Sequence, residues 1–336
     1  MEFLFEAIAE DLPGPKWRSL FERLWESYER WFLQEGEKAR PYYLSSMRAV
    51  RTHMPELLPT YERLVELSGG GDLQARFLSL YCPPPYLTGC SQAVWPGELP
   101  VLVRNYDYSP FLFEGVILKT AWNGRQVIAM SDCLWGVLDG MNEEGLALSL
   151  SFGGRREVGP GFGVPLVLRY ILEFCTTTRE AAKVLQRVPV HMTYNVTVLD
   201  RTGQFLTAYL APDRPTLLLP LAVSTNHQKR VEWAKHAHAT ATVERQRFLT
   251  RRLRESVDSP DSLIQAFLRS PAYSTCYSRG FGTLYTAVYR PTLGKVDYLW
   301  PNRPWQQSFT EFEEGAYVLN FPDDGERWEV RPSRHK

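Results

Sequence analysis

Large apolar side chains recur at helical spacing between residues 15 and 35: Trp17, Leu20, Phe21, Leu24, Trp25, Tyr28, Trp31 and Phe32, with Arg and Glu between them. That period predicts a helix with one buried face. Pro15 suits its first turn and Gly36 suits its stop. A second helical region is predicted from about residue 42 to 67, interrupted by Pro55 and Pro59 and closed by Gly69-Gly70-Gly71. A third, short helix falls near residues 72–80. These stripes read as core packing.

The pattern changes at Cys82-Pro83-Pro84-Pro85, after which strands and turns dominate. Residues 99–105 are apolar and extended. Segments 113–121 and 126–129 flank Asn123-Gly124, and segments 137–141 and 146–152 flank Asn142-Glu143-Glu144-Gly145, so two hairpins are predicted. Helices return at 165–174 and 178–186, the latter with Thr177 and Glu180 at capping-box spacing. Strands follow at 194–199 and 205–209, then helices at about 229–256 and 260–268, with Ser259 as N-cap and Pro260 at the first position. A last hairpin pairs 283–289 with 295–300. Strand pairs alternating with helices predict an α+β fold of antiparallel sheets covered by helices, not a doubly wound parallel sheet.

Composition narrows the function classes. The 336 residues are 44% hydrophobic and 23% charged, which suits a globular chain with a large core. Lys plus Arg and Asp plus Glu are each 38. That balance argues against a nucleic-acid binder or a membrane-surface protein. The start, MEFLFEAIAEDLPG, has neither a basic nor an apolar leader region, and no stretch is apolar enough to insert in a membrane, so a cytoplasmic address is expected. The five cysteines are widely spaced and form no CxxC pair. Neither a metal site nor a cofactor is expected. Cys133, Cys175 and Cys276 read as packing residues.

The candidate chemistry begins at Gly89-Cys90-Ser91. A cysteine after a glycine can be a nucleophile or simply a small buried hydrophobe. Fourteen residues further on stands Arg104-Asn105-Tyr106-Asp107. A hairpin of that length returns Arg104 and Asp107 to the neighbourhood of Cys90. Arginine favours thiolate and a carboxylate can hold an ammonium, although a structural ion pair would look the same in sequence.

These segments, followed by Asp139-Gly140-Met141-Asn142-Glu143-Glu144-Gly145-Leu146 and then Ser224-Thr225-Asn226-His227, resemble the acyl-coenzyme A:6-aminopenicillanic acid acyltransferase family, which is related to choloylglycine hydrolases and penicillin V acylases. The resemblance runs from residue 82 to about 300. It implies the four-layer αββα sandwich of N-terminal-nucleophile hydrolases and self-cleavage between Gly89 and Cys90. Residues 1–89 would then be a helical pro-segment and residues 90–336 the catalytic core. Cleavage would place a free α-amine beside the thiol, with an ordinary pKa of about 7.7–8.0, so one residue would supply nucleophile and base. None of the six histidines is needed.

By resemblance, Cys90 attacks, Asp107 orients the α-amine, Arg104 supports the thiolate and Asp107, and Asn226 donates to the oxyanion. Bile-salt-hydrolase relatives carry an asparagine where this chain has Leu150-Ser151-Phe152, which leaves Ser151 as the nearest polar candidate. Asn142 is a second oxyanion or substrate candidate, within what otherwise reads as a structural turn. Relatives place a late arginine near the nucleophile, and Arg279 is the expected one; Arg290, before Pro291, is expected at a turn surface. The substrate class implied is a small-molecule N-acyl amide, cleaved or transferred through an acyl-cysteine thioester, and a homo-oligomer is possible. Two other readings stay open: a non-catalytic, unprocessed binding or scaffold protein, and an amidase for lipid amides such as N-acyl amino acids.

Overall fold

The structure is a computed structural model that describes residues 1–256, 259–301 and 303–322; the side chain of Arg279 lies outside the described part. The chain opens with strand β1 (Glu2–Glu10) and four helices, α1 (Pro15–Phe32), α2 (Tyr43–His53), α3 (Leu58–Leu67) and α4 (Asp72–Leu78). Pro55 begins a 3-10 turn and Pro59 sits in the first turn of α3, so the prolines divide the second helical region as expected.

Six strands follow: β2 (Gly89–Trp95), β3 (Val101–Tyr108), β4 (Val116–Thr120), β5 (Val127–Asp132), β6 (Gly136–Asn142) and β7 (Leu146–Phe152). Next come α5 (Val164–Phe174), α6 (Thr178–Arg187), β8 (Tyr194–Asp200), β9 (Phe205–Ala211), β10 (Arg214–Leu219) and β11 (Val223–Ser224). Helices α7 (Ala234–Ala239), α8 (Thr242–Glu255) and α9 (Asp261–Phe267) precede β12 (Gly282–Arg290), β13 (Lys295–Trp300), β14 (Arg303–Ser308) and β15 (Gly315–Asn320). The capping box at Thr177 and Glu180 forms as predicted. Ser259 accepts from the Asp261 amide, although Pro260 occupies the cap position itself.

Two sheets result. One runs β10-β9-β8-β7-β6-β5-β4-β1-β15 and the other β11-β2-β3-β12-β13-β14. They stack through β2 and β3 against β7 and β8. Helices α5 and α6 cover the outer face of the nine-stranded sheet, and α8 and α9 cover the outer face of the six-stranded one. This is the four-layer αββα sandwich.

Strand alternation sorts the core into two layers. Cys90, Val94, Leu102 and Tyr106 belong to the large core that includes the space between the sheets. Ala93, Trp95, Val101 and Val103 pack with Leu249, Leu263 and Phe267 beneath α8 and α9. The same alternation decides which way each candidate site residue faces.

Three departures from the sequence reading stand out. Residues 2–10 are a strand, with β1 parallel to β4 on one side and antiparallel to β15 on the other. The lead is therefore not wholly helical and supplies part of the central sheet. The region expected to be helical from 229 divides into α7 and α8, separated by Ala241 in the left-handed conformation (φ 47°). Cys276, expected to be a packing residue, is exposed. Among the described residues no helix is long and apolar enough to cross a membrane.

Candidate active site around Cys90

Cys90 is the second residue of β2, whose antiparallel partner β3 places Gly89 opposite Asp107, Cys90 opposite Tyr106 and Gln92 opposite Arg104. The hairpin thus brings Arg104 and Asp107 back to Cys90, as their spacing predicts. They lie on opposite faces of it. Arg104, on the face between the sheets, donates through Nη2 to Cys90 Sγ at 3.4 Å. Its Nη1 donates to Tyr285 Oη at 2.7 Å and forms a buried ion pair with Asp139. Tyr285 and Tyr289 each donate to Asp139 at 2.5 Å. Arg104 is fully buried, and burial works against its charge. Its electronegative neighbours, Tyr285 and then Cys90, outweigh that and raise its pKa, so it is a fixed cation beside the sulfur.

Asp107 faces the helical layer. Its direct partner is Arg245 of α8, whose Nη1 lies 2.8 Å from Asp107 Oδ2; Thr283 Oγ1 donates to Oδ1 at 2.6 Å. Arg104, assigned by resemblance to both the thiolate and Asp107, instead pairs with Asp139 and reaches Asp107 only as a weaker, longer-range charge. The physical reason is the two-residue period of β3. Burial pushes the Asp107 carboxyl above its ordinary range, and Arg245 is the main opposing influence.

Arg245 was not found in the sequence, yet it touches every part of the site on this side. Besides Asp107, it donates to the Cys90 carbonyl at 2.9 Å, to Ser91 Oγ at 2.8 Å and to Asn226 Oδ1 at 2.7 Å. Asn226 follows β11, which pairs with β2, and its Oδ1 also accepts the Cys90 backbone N–H at 2.9 Å. Its amide nitrogen donates to the Thr88 carbonyl at 3.3 Å and to the Phe152 carbonyl at 3.2 Å. In the intact chain, the group expected to serve an oxyanion therefore holds the peptide just upstream of Gly89.

The other candidates fall as follows. Gly89 is packed so closely that a Cβ would come 2.3 Å from Phe281 Cζ and 3.2 Å from Asp107 Cβ. Ser151 lies near the site but its hydroxyl donates to the Thr225 carbonyl at 3.0 Å. Asn142 ends β6 at the turn: its amide donates to the Leu172 and Cys175 carbonyls and its Oδ1 accepts the Leu146 N–H. It ties β6 to the end of α5 and makes no hydrogen bond to Cys90. Arg279 follows the loop after α9 and precedes β12; its side-chain position lies outside the described residues. Arg290 ends β12, half-buried and paired with Asp297.

Cys90 itself has no exposed surface. The thiol is covered on one side by Thr88, whose hydroxyl lies 3.6 Å from Sγ. Beyond the Tyr106 side of the ladder lies a cavity of about 170 Å³, with aromatic walls that include Tyr28, Trp31, Tyr106 and Phe113. Two of these come from α1, so the lead segment forms part of that wall.

No curated protein matches the chain. Among solved structures, it is similar to penicillin V acylase from Agrobacterium tumefaciens at 15% identity and TM-score 0.47, over 68% of this chain and 91% of that one. It is similar to a mutant of conjugated bile acid hydrolase from Clostridium perfringens at 13% identity and TM-score 0.48, over 71% of this chain and 99% of that one. A third is the Caenorhabditis elegans ortholog of N-acylethanolamine-hydrolyzing acid amidase, at 18% identity and TM-score 0.46, over 69% of this chain and 100% of that one. Residues 95–305 match the acyl-coenzyme A:6-aminopenicillanic acid acyl-transferase family, a span that includes Arg104, Asp107, Asn226, Arg245 and Arg279 and begins just after Cys90. With more than half of its length inside that match, the chain belongs to the acyl-coenzyme A:6-aminopenicillanic acid acyl-transferase family.

Proposed function

We propose that the protein is a self-processing cysteine amidohydrolase or acyltransferase acting on linear N-acyl amides, with Cys90 as nucleophile. The observation that carries this reading is the double hold on Cys90: Arg104 at its sulfur, and Asn226 with Arg245 at its backbone N–H and carbonyl.

In the maturation step, Sγ attacks the Gly89 carbonyl carbon. An S–C bond forms, the Gly89–Cys90 C–N bond breaks, and the nitrogen takes the thiol proton. Water then hydrolyses the thioester, leaving a carboxylate on Gly89 and a free amine on Cys90. Departure of Thr88 and Gly89 from the site uncovers the sulfur and releases the Asn226 amide from the Thr88 carbonyl.

In turnover, the α-amine accepts the thiol proton while sulfur adds to the substrate amide. Arg104, already charged and buried, stabilises the developing thiolate. The freed Asn226 amide meets the oxyanion, a contribution of about 2.7–4 kcal/mol for donors of this type. Asp107 and Arg245 fix the amine. Collapse expels the substrate amine with the proton, and water or a second amine resolves the acyl-cysteine. Hydrolase and acyltransferase differ only in that last step.

Intact mass is the direct test. The wild-type protein is expected as two chains, 1–89 and 90–336, and Cys90→Ala as one chain with no turnover. An active wild-type preparation whose only N-terminus is Met1 would exclude the self-processing mechanism. A single inert chain would favour a binding or scaffold role.

A further inference from the structure

The cavity beside Tyr106 is apolar on its walls and acidic at its base. Phe111 and Leu112 line it and are 71% and 63% exposed, which gives the cavity an apolar, solvent-facing edge. At the base stand Glu114 and Asp132. Asp132 is only 9% exposed and has no ion-pair partner among the described residues; the neighbouring Cys133 thiol lies 3.7 Å from its Oδ2. The cations nearest these two carboxylates are committed elsewhere, Arg23 to Glu6 and Arg104 to Asp139.

The carboxylates are held in place by an unusual turn. Between β5 and β6, Cys133 and Leu134 both adopt left-handed backbone (φ 54° and 72°), a conformation costly for side chains of this kind. The turn persists because the Leu134 N–H donates to Glu114 Oε1 at 2.6 Å, the Cys133 N–H donates to Tyr28 Oη at 2.9 Å, and Tyr28 donates in turn to Glu114. Glu114 thus commits one oxygen to the turn. Its Oε2 is buried near the Ser131 hydroxyl, which favours the charged carboxylate, and among the described residues neither atom has a partner at hydrogen-bond distance.

We propose that this cavity is a substrate subsite of the Cys90 centre that selects amides whose apolar or aromatic body carries a primary ammonium, seated against Asp132 and the free oxygen of Glu114. The inference rests on the amidohydrolase reading and names its substrate class. The geometry matches in three respects. Tyr106, one wall, is the cross-strand partner of Cys90 and stacks under Arg104, with the guanidinium carbon 4.7 Å from its ring centroid, so a single side chain separates the subsite from the nucleophile. The aromatic walls suit both an apolar body and a cation. The two carboxylates together favour a monocation. Burial, and then Glu114, raise the Asp132 pKa to about 8, and burial raises that of Glu114, so near neutrality Asp132 holds a proton that a free carboxylate would have lost. An ammonium would replace that proton.

Direct binding tests this independently of turnover. The probes are 2-phenylethylammonium and the uncharged 2-phenylethanol, titrated calorimetrically into the full chain at pH 7. The ammonium is expected to bind at least tenfold more tightly, and repetition in buffers of different ionisation enthalpy should show proton release. Asp132→Asn, checked for an unchanged circular dichroism spectrum, should erase the preference. Equal affinity for the two probes, no binding of either, or no proton release by the wild type would overturn the proposal, and the last measurement needs no variant. An N-acyl amide panel with and without a terminal ammonium separates the two readings. Turnover without ammonium preference overturns the subsite and leaves the amidohydrolase reading standing. Ammonium binding that depends on Asp132, with no turnover of any amide, supports the subsite and removes that reading.

Discussion

Asn226 does two opposite things with one side chain, and substitutions can separate them. Its oxygen accepts from Arg245 and from the Cys90 N–H, while its nitrogen is the donor proposed for the oxyanion. Asn226→Asp keeps the acceptor beside Arg245 but replaces the donor with a negative charge where the oxyanion develops. It should lower kcat by at least about 10²–10³-fold with KM little changed. Full kcat in that variant would remove Asn226 from the oxyanion role. Gly89 is constrained by space: a methyl group there meets the Phe281 ring. Gly89→Ala should slow maturation on a gel time course, and Gly89→Ala combined with Phe281→Ala should recover much of it; an unaffected single variant would show that this packing does not set the cleavage geometry. At this scale, hairpin length was enough to place Arg104 and Asp107 beside Cys90, as the structure has them, whereas Asn226 was singled out by the family resemblance. The pairing of Arg104 with Asp139 was not legible, since it crosses between sheets. Arg245 was legible in principle, as an arginine sharing the buried face of α8 with Thr242 and Leu249. Among the many arginines of that helix, nothing in the sequence said what it would face.

At the level of elements, the lead segment is tied into the core. β1 lies between β4 and β15 in the nine-stranded sheet. Trp17 of α1 donates to the Leu134 carbonyl at 3.0 Å, and Trp135 donates to the Leu78 carbonyl at 2.9 Å. Residues 90–336 expressed alone would leave the edges of β4 and β15 unpaired along their length, a template for aggregation. They should be insoluble alone and soluble when co-expressed with residues 1–89, with the two polypeptides co-eluting in gel filtration. A soluble, folded 90–336 fragment would show that the lead can be dispensed with after cleavage. Phe3, Phe5 and Ala7 alternate with exposed or half-buried positions, so the period of β1 is present in the sequence. The strand escaped the sequence reading because its partners lie more than a hundred residues away, and no hairpin turn announces them. Hairpins closed by Asn-Gly or capped by Gly145 were found for the converse reason: their pairing is local.

For the molecule as a whole, the buried acid pair makes stability depend on pH in a direction opposite to that of a salt-bridged carboxylate. The Asp132 pKa is raised from 3.8 to about 8, first by burial and then by Glu114. Between those two values the unfolded chain has released a proton that the native protein keeps. Stability at this group is therefore greatest below about pH 4, falls as pH rises, and levels off above about pH 8. The limiting slope for one group is about 1.4 kcal/mol per pH unit. Of the charged and hydrogen-bonding groups around Asp132, Glu114 from the loop before β4 opposes its negative charge, while Cys133 in its own turn, through hydrogen bonds, and then Arg104 of β3 favour that charge and moderate the effect of burial; the tyrosines that face it, Tyr28, Tyr86, Tyr106, Tyr108 and Tyr194, stay neutral across this range. Asp132→Asn keeps the shape and removes the titration. The variant should melt close to the wild type at pH 4 and clearly above it at pH 8, with the gap widening as pH rises between the two. Paired thermal melts across that range check it, and a difference that stayed constant with pH would mean that Asp132 is already ionised in the native protein. A gain in stability on removing a charged group fits a residue kept for binding, because an unpaired buried acid weakens the fold that holds it.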